Sequence, residues 1–338
     1  MKHLVLLLVT LWITCVAPSA LAENLLVIRF SHVVASESPK GQAAERFAQL
    51  VVQRTAGRVR VDLFPNSRLY GDQDEIAALQ MGHVEMLAPS LTKLKVLRAP
   101  EFEVFDIPYL FPDSQAVHRV TDGAIGKALL AKLEPQGVVG LTFWDNGFKQ
   151  MSANRPLRKP TDFVGLSLRT QPSQILEAQM KALGARARAM PFSEVYSALR
   201  TGTVDGTEGP VSNFYTQNLH LTQKYLTLSN HGYLGYAVVA NKKFWDGLSP
   251  EIRGTLEAAL SDATAYANAA AEKNNSTALD LVKKSGRTQV IELTADEQRS
   301  WRNALINVDQ QSRGRIPKEL IERIRKEAGQ PPLAVAMR

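Results

Sequence analysis

The sequence predicts an α/β fold made of two lobes, and three observations lead to this prediction. A strand–helix–strand unit lies near the start of the chain, which is typical of a mainly parallel sheet. A segment at 75–85 recurs at 195–205, which indicates two lobes of related topology. The chain has 338 residues, enough for two domains, and it contains no low-complexity linker. We therefore expect crossing strands, and not a flexible tether, to join the lobes.

The first unit consists of a strand, a helix and a second strand. The apolar run at 25–30 is typical of a buried strand. Residues 39–57 have apolar side chains at helical spacing, with Pro39 at the start and Gly57 at the end. Residues 58–64 then alternate between apolar and polar side chains, which predicts the second strand.

The next helix introduces the pattern that recurs. Asp72 followed by Glu75 predicts a capping box for a helix that ends at Gly82, and a short strand comes after it. The sequence EIAALQMGHVE at 75–85 is matched by VYSALRTGTVD at 195–205, which lies 120 residues later. Each copy predicts a helix that ends at a glycine and is followed by the start of a strand. We interpret the match as two related lobes, with a common way of ending helices as the alternative.

The remainder of the chain predicts a second strand–helix unit and a helical C-terminal third. Residues 164–170 alternate as a strand and precede a helix, so Arg169 comes at the carboxyl end of a strand. Open α/β sheets bind ligands at that edge. Residues 249–286 are rich in alanine and form one helix or two, which we expect to lie against both lobes. Two amphipathic helices are predicted at 294–305 and 316–328.

The N-terminus has the three parts of a secretory signal peptide. Lys2 precedes an apolar run, and the small-residue cleavage site Ala20-Leu21-Ala22 follows it. We predict a signal peptide over 1–22 and a periplasmic mature protein. A membrane anchor is the alternative, but the run is shorter than the ~20 apolar residues of a span. Cys15 is the only cysteine, so the mature chain would contain neither a disulfide nor a thiolate metal site.

Composition and motifs argue against several classes of function. The net charge is +7, and no block of five or six cations is present, so we expect no nucleic-acid partner. The sequence contains no dinucleotide fingerprint, phosphate-binding loop, nucleophile elbow or zinc-protease motif, and its six histidines are scattered. We therefore expect no cofactor and no metal. Asp205 and Glu208 are predicted to cap backbone amides, and a secreted α/β enzyme that uses one of them is the alternative.

Motifs along nearly the whole mature chain resemble one transport family. RFSHVVASESPKG, GRVRVDLFPNSRLYGDQDEIAALQMGHVEML, GLSLRT and MPFSEVYSALRTGTVDGTE are similar to segments of the extracytoplasmic solute-binding proteins of TRAP transporters. LAPSL and WDNGFKQMSANRPLR most resemble the branch that binds four-carbon dicarboxylates such as succinate, malate and fumarate.

This resemblance implies a fold, a function and partners. The fold is that of a periplasmic binding protein, with two lobes hinged over a central cleft and a long helix that spans both. We expect lobe I at 23–146 plus 233–274 and lobe II at 147–232 plus 275–330. The implied function is to deliver a small carboxylate to a membrane permease, and we expect a monomer that is not an enzyme. Another organic acid as ligand (an oxo, sugar or aromatic acid) and signalling to a membrane sensor are the alternatives.

The resemblance also implies residues of the binding site. Arg169, in the GLxxR motif, is expected to hold a ligand carboxylate with its planar guanidinium. Lys149, after the NG of WDNGFK, is expected to be a second cation at the site, and Phe192 of the PFSE motif is expected to line the pocket. Trp144 is close to Lys149 in sequence, so we expect it at the binding site and expect its fluorescence to report binding.

A second carboxylate would need donors from the other lobe. Lys40 lies near a predicted helix start and is the candidate, with Ser90 and His32 as further candidates. Gly209 stands where the resemblance implies an asparagine, and Asn213 is the candidate substitute for that amide. The loss of a side chain at Gly209 also indicates room for a bulkier ligand.

Overall fold

The computed structural model describes residues 25–308 and 314–331. The predicted signal peptide at 1–22 lies outside these residues. Within the two described ranges, no helix has both the length and the apolar character that crossing a membrane requires.

The described residues form one mixed sheet surrounded by helices. The strands are β1 (Leu26–Ser31), β2 (Val59–Phe64), β3 (Met86–Leu87), β4 (Val138–Ala153), β5 (Ser167–Thr170), β6 (Arg186–Ala189), β7 (Gly206–Gly209), β8 (Tyr225–Asn241) and β9 (Gln289–Glu292). The helices are α1 (Pro39–Arg54), α2 (Glu75–Met81), α3 (Ser114–Thr121), α4 (Ala124–Ala131), α5 (Gln174–Ala182), α6 (Phe192–Thr201), α7 (Val211–Thr216), α8 (Lys242–Asp246), α9 (Pro250–Ser285), α10 (Ala295–Leu305) and α11 (Lys318–Glu327).

The sheet has two parallel parts that are joined by two long antiparallel strands. Its order is β2-β1-β3-β8-β4-β7-β5-β6, and β9 pairs with β8. Strands β1 to β3 pair in parallel, and so do β5 to β7, whereas β4 and β8 run antiparallel between them. We call the part with β1–β3, α1 and α2 the first lobe and the part with β5–β7, α5 and α6 the second lobe. The predicted two-lobed α/β fold with crossing strands is confirmed.

The residue boundaries predicted for the two lobes stay a prediction. The largest apolar cluster contains residues from both parts of the sheet, including Leu87 of β3 and Leu168 of β5. A second cluster packs β1 and α1 against the first half of α9, and a third packs α6 and α7 against its second half. The core therefore continues through the region where the lobes meet.

The ladder between β4 and β8 contains a large irregularity beside this region. Lys149 pairs with Gly232, but Met151 pairs with Thr227, so residues 228–231 stand opposite the single residue Gln150. Two hydrogen bonds join Gln150 to Asn230 within this bulge. A bulge of this kind bends a strand and redirects its side chains. Here it brings the side chain of residue 231 toward β7.

Helix α9 lies against both lobes. It has 36 residues, which corresponds to a length of about 54 Å. Ser249 caps its start, as the sequence predicts. The Trp144 indole of β4 donates to Thr264 near the first lobe, and the Ser212 backbone N–H of α7 donates to Asn275. The sequence left one helix or two open, and the structure contains one.

The recurring pattern occupies equivalent places in the two lobes, but one detail of its prediction is wrong. Helices α2 and α6 end at Gly82 and Gly202, whose φ values of 75° and 72° favour glycine, and each precedes a strand. Asp72 does not cap α2. The helix begins at Glu75 after Asp74, and that N-cap makes no side-chain hydrogen bond to the helix.

Candidate ligand-binding site

A cavity lies between the two lobes, beside β4 and β8. It contains about 630 Å³ of space outside atoms, a figure that includes the part open to solvent. Six of the predicted site residues line it, namely Ser90, Lys149, Arg169, Phe192, Gly209 and Asn213. Sequence reasoning missed several other polar residues of its wall, including Asp72, Lys93, Gln150, Gln171, Glu208 and Tyr236.

Strand β5 places Arg169 at the carboxyl edge of the second lobe. Arg169 is in register with Arg188 of β6 on one side and with Thr207 of β7 on the other. Leu168 is fully buried in the core, so the alternation of the strand directs Arg169 to the opposite face. That face lines the cavity, as the sequence position predicts.

The Arg169 guanidinium is buried without an ion-pair partner in the described part of the chain. The residue is only 5% exposed, and its Nε and Nη2 atoms donate to the Met190 carbonyl at 3.2 and 3.0 Å. The Phe192 ring centroid lies 5.4 Å from its Cζ. Burial lowers the pKa of Arg169, and the charges of Asp72 and Glu208 oppose this change. A buried cation in this state is stabilised by an anion that enters the cavity.

Lys149 lines the same cavity but is already neutralised by the protein. Its Nζ lies 2.8 Å from Glu208 Oε1 and 3.5 Å from Asp106 Oδ1, and all three side chains are buried. The other Glu208 oxygen lies 3.1 Å from His231 Nε2. Burial alone would raise the pKa of Glu208. The combined effect of Lys149 and His231 is opposite and larger, so the pKa falls to about 2. Lys149 therefore holds protein carboxylates and is a weaker candidate for direct ligand contact than Arg169.

The two acids that were predicted to cap backbone amides have different roles. Asp205 accepts a hydrogen bond from the Ser167 backbone N–H at 2.7 Å, as expected of a capping residue. Glu208 does not cap an amide, because its oxygens face Lys149 and His231. The β8 bulge, which periodicity does not reveal, brings His231 there.

A second group of charges lies on the first-lobe side of the cavity. Lys93 is buried and forms ion pairs with both Asp72 and Glu75. Asp72 also accepts the Phe192 backbone N–H of the second lobe at 2.5 Å. Sequence reasoning missed Lys93 because it stands in an irregular 3-10 segment, where neither helical nor strand periodicity indicates which side chains are buried.

Lys40 is buried next to the cavity wall but does not line the cavity. Its Nζ donates to the Ala88 carbonyl at 2.8 Å and lies 3.8 Å from the centroid of the Tyr236 ring. Within the described residues, no carboxylate lies at ion-pair distance from it. Burial lowers the pKa of Lys40 to about 7. Tyr236 does line the cavity, so it contacts both the ligand space and this ammonium.

His32 and Trp144, two further predicted site residues, lie outside the cavity wall. His32 is buried, and burial together with the charge of Lys40 lowers its pKa to about 3, which keeps the ring neutral. Trp144 belongs to the first-lobe core, where its ring stacks 5.9 Å from that of Phe30 and its indole donates to Thr264. Trp144 therefore does not line the cavity itself, and a report of binding by its fluorescence stays a prediction.

The positions of Gly209 and Asn213 bear on the shape of the site. Gly209 ends β7, and a Cβ atom built there meets no other atom within 4 Å. Asn213 lies in α7, and its amide donates to the Tyr236 hydroxyl at 3.4 Å, whereas its Oδ1 has no partner in the described part of the chain. The cavity therefore has both room beside Gly209 and an amide with spare hydrogen-bonding capacity.

Among the described residues, no cluster of three or more His, Cys, Asp or Glu side chains is arranged to hold a metal ion.

Comparison with known proteins shows which family this chain resembles in sequence and fold. The C4-dicarboxylate-binding periplasmic protein DctP of Rhodobacter capsulatus is 53% identical over 306 residues, which cover 90% of this chain and 92% of that protein. A TRAP periplasmic solute-binding protein of Shewanella oneidensis, solved with bound succinate, is 39% identical with a TM-score of 0.87 and covers 90% of this chain and 99% of its own.

A sugar acid-binding protein from Advenella mimigardefordensis strain DPN7T, solved with galactonate, is 35% identical with a TM-score of 0.87, and the match covers 90% of this chain and 97% of that one. Residues 30–313 match the family model described as bacterial extracellular solute-binding protein, family 7. The chain therefore belongs to family 7 of the bacterial extracellular solute-binding proteins.

Proposed function

We propose that this protein is the periplasmic solute-binding subunit of a TRAP transporter. It captures a small carboxylate, namely a four-carbon dicarboxylate such as succinate, malate or fumarate, and delivers it to a membrane permease. The observation that carries this proposal is the buried Arg169 guanidinium, which faces a cavity between two lobes and has no ion pair within the described residues.

The chemistry of Arg169 favours a carboxylate over a neutral solute. The Met190 carbonyl uses one side of the guanidinium, and the remaining N–H groups of Nη1 and Nη2 form the fork that binds a carboxylate bidentately. An uncharged sugar would leave the buried charge without compensation. Lys93 and Lys149 each have two protein carboxylates, so they have less need of a ligand anion.

A second carboxylate is accommodated on the first-lobe side. Lys40 is a buried cation of that lobe without an ion pair in the described part of the chain. Tyr236 connects it to the cavity, and the Ser90 hydroxyl lies on the cavity wall. The similarity to a relative named for C4 dicarboxylates, at 53% identity, supports a four-carbon ligand. The galactonate complex of a less similar relative and the room beside Gly209 keep a sugar acid as the second candidate.

Binding without catalysis fits the state of the acidic residues. The enzyme alternative relies on Asp205 or Glu208, and each of them is used by the protein itself, one on a backbone amide and the other on Lys149 and His231. We infer that the ligand leaves unchanged. Recovery of chemically intact succinate after prolonged incubation supports this inference, and conversion of the ligand would refute it.

Export through a cleaved signal peptide is part of the proposal. The basic start, apolar run and Ala20-Leu21-Ala22 site support it, together with membership of an extracellular binding-protein family. Mass spectrometry of the protein from a periplasmic fraction is expected to find Glu23 as the first residue. A chain retained in the membrane with its leader intact would contradict this expectation.

The ligand is tested by a thermal-shift screen followed by calorimetry. The panel contains succinate, malate, fumarate, galactonate, an oxo acid, an aromatic acid and a neutral sugar. A ligand at 100 times its dissociation constant stabilises the folded state by about 2.7 kcal/mol, which shifts the melting temperature measurably. A shift with the four-carbon dicarboxylates is expected. A shift with the neutral sugar alone would refute carboxylate binding, and a shift with galactonate alone would assign the sugar-acid alternative.

A further inference from the structure

One carboxylate of the first lobe crosses the cavity and binds the backbone of the second lobe. The Oδ2 atom of Asp72 lies 2.5 Å from the backbone nitrogen of Phe192. Phe192 is the first residue of α6, and the preceding residue, Pro191, provides no side-chain cap. The N–H groups in the first turn of a helix have no partner inside the helix. Asp72 therefore caps a helix of the opposite lobe, although it stands just before α2 in the sequence.

Buried charges hold Asp72 in this position. Lys93 forms ion pairs with both Asp72 and Glu75, and its side chain is only 6% exposed. Glu75 is fully buried in α2 of the first lobe, and Lys93 lies in the 3-10 segment Leu91–Leu97 that follows β3 of the same lobe. We call Asp72, Lys93, Glu75 and the Phe192 N–H the Asp72 latch. The arrangement is directional, because Lys93, which Glu75 also binds, holds the Oδ1 atom of Asp72 while the Oδ2 atom accepts the Phe192 N–H of the second lobe.

The latch lies beside the group that is proposed to hold the ligand. The Phe192 ring packs 5.4 Å from the Arg169 guanidinium, so the N–H that Asp72 binds belongs to a residue in contact with the anchor. A second bond between the lobes is close by, where Gln171, two residues after Arg169, donates to the Ser90 hydroxyl at 2.6 Å. Opening of the cleft would break both bonds, since each joins one lobe to the other.

We propose that Asp72 is a positioning residue that stabilises the closed arrangement of the lobes by capping α6, and so sets how long the ligand stays bound. This inference rests on the proposed function for the identity of the ligand. A carboxylate repels a ligand dianion, so Asp72 acts through α6 and not by attracting the ligand. The hydrogen bond from Phe192 to Asp72 exists only when the lobes are together. Loss of this bond therefore accelerates opening of the cleft, and the rate at which the ligand meets the open cleft is unchanged.

The expected effect is a faster release at an unchanged rate of capture. Loss of a hydrogen bond to a charged acceptor corresponds to about tenfold or more in an equilibrium or rate constant. In Asp72→Ala, Lys93 still has Glu75 as its partner, so no buried cation is left alone and the variant is expected to fold. Asp72→Asn keeps an acceptor oxygen but loses the charge, so its release rate should fall between those of the wild type and the alanine variant.

The test uses energy transfer between dyes on the two lobes. Cys15 is the only cysteine of the sequence and lies in the predicted signal peptide, so a chain that begins at Glu23 permits specific labelling at Glu45→Cys in α1 and Arg200→Cys in α6, both exposed positions. Stopped-flow mixing with succinate gives the association rate, and a chase with excess unlabelled protein gives the release rate. Asp74→Ala is the matched control, because this neighbouring aspartate is exposed and its side chain makes no capping bond to α2.

The outcomes separate the latch from the ligand assignment. The proposal expects Asp72→Ala to release succinate about tenfold faster, with an association rate within about twofold of the wild type and no effect in the control. An unchanged release rate would overturn it, and so would an effect seen with malate but absent with succinate, since Asp72 would then bind a ligand hydroxyl. If no dicarboxylate binds the wild type, the proposed function fails by itself. The distance between the dyes in the ligand-free protein still tests the latch, because Asp72→Ala must then increase the population of the longer distance.

Discussion

Replacement of Arg169 tests the ligand anchor without removing the partner of any buried acid. The guanidinium has no ion pair in the described part of the chain, so Arg169→Ala leaves no carboxylate uncompensated. The substitution removes the two hydrogen bonds that the Met190 carbonyl accepts from Arg169. We expect the ligand-free variant to melt near the wild-type temperature. Its ligand-induced thermal shift should be lost, because the missing interaction is one that only the complex makes.

The expected loss of binding affinity follows from the N–H groups of the guanidinium that are not used by the Met190 carbonyl. A carboxylate that binds Nη1 and Nη2 gains two charge-assisted hydrogen bonds of about 1.5–3 kcal/mol each. In Arg169→Ala these two hydrogen bonds are lost, and water that enters the space left by the side chain offsets part of the lost binding free energy. We therefore expect Arg169→Ala to weaken succinate binding at least about a hundredfold, which is ~2.7 kcal/mol. Arg169→Lys keeps the charge but loses the fork, so a loss of about tenfold is expected.

Isothermal calorimetry at pH 7.5 and low salt measures these changes directly. Arg188→Ala is the matched control, because Arg188 is the register neighbour of Arg169 on β6 and is exposed to solvent. Its binding constant should stay within about twofold of the wild type, as expected for a surface charge. A dissociation constant for Arg169→Ala within about threefold of the wild type would refute the anchor, since two charge-assisted bonds cannot be so weak.

Three further predictions address the rest of the site. Gly209→Asn places a side chain where a Cβ meets no atom within 4 Å, so the protein should fold normally, and calorimetry should show a larger loss of affinity for galactonate than for succinate. Equal losses for the two acids would contradict a role in size selection. Lys149→Met leaves Glu208 and Asp106 buried without their cation, and urea denaturation should show a free energy of unfolding lower by about 3–5 kcal/mol. A change below ~1 kcal/mol would mean that the cluster is hydrated. The pKa of Glu208 is about 2 in the folded protein, below its ordinary 4.5, so its stabilising contribution is complete above pH 4.5 and is lost as the pH falls toward 2. Urea denaturation from pH 6 to pH 3 should therefore show a shallower decline in Glu208→Gln than in the wild type, and parallel curves would contradict the assignment.

Much of the fold was predictable because local patterns agree with the tertiary structure. The helix start at Pro39, the glycine stops at Gly82 and Gly202 and the capped start of α9 at Ser249 all follow from the immediate sequence. Arg169 was predictable for the same reason, because strand alternation and its place at a strand end both indicate the cavity.

The surroundings that local patterns did not indicate depend on contacts distant in sequence. Asp72 has the spacing of a capping box, yet its carboxylate binds Phe192, 120 residues away. Glu208 faces Lys149 and His231 only because β7 lies beside β4 and a four-residue bulge interrupts β8. Trp144 is close to Lys149 in sequence, but the irregular β4 strand sends one side chain to the core and the other to the cavity. No local periodicity contains this information.

A crystal structure of the complex with succinate would show whether Arg169 anchors a ligand carboxylate. We expect one ligand carboxylate within hydrogen-bond distance of Nη1 and Nη2 of Arg169, in the cavity between the lobes. A succinate bound elsewhere, or one that occupies the cavity while Arg169 contacts only the Met190 carbonyl, would contradict it.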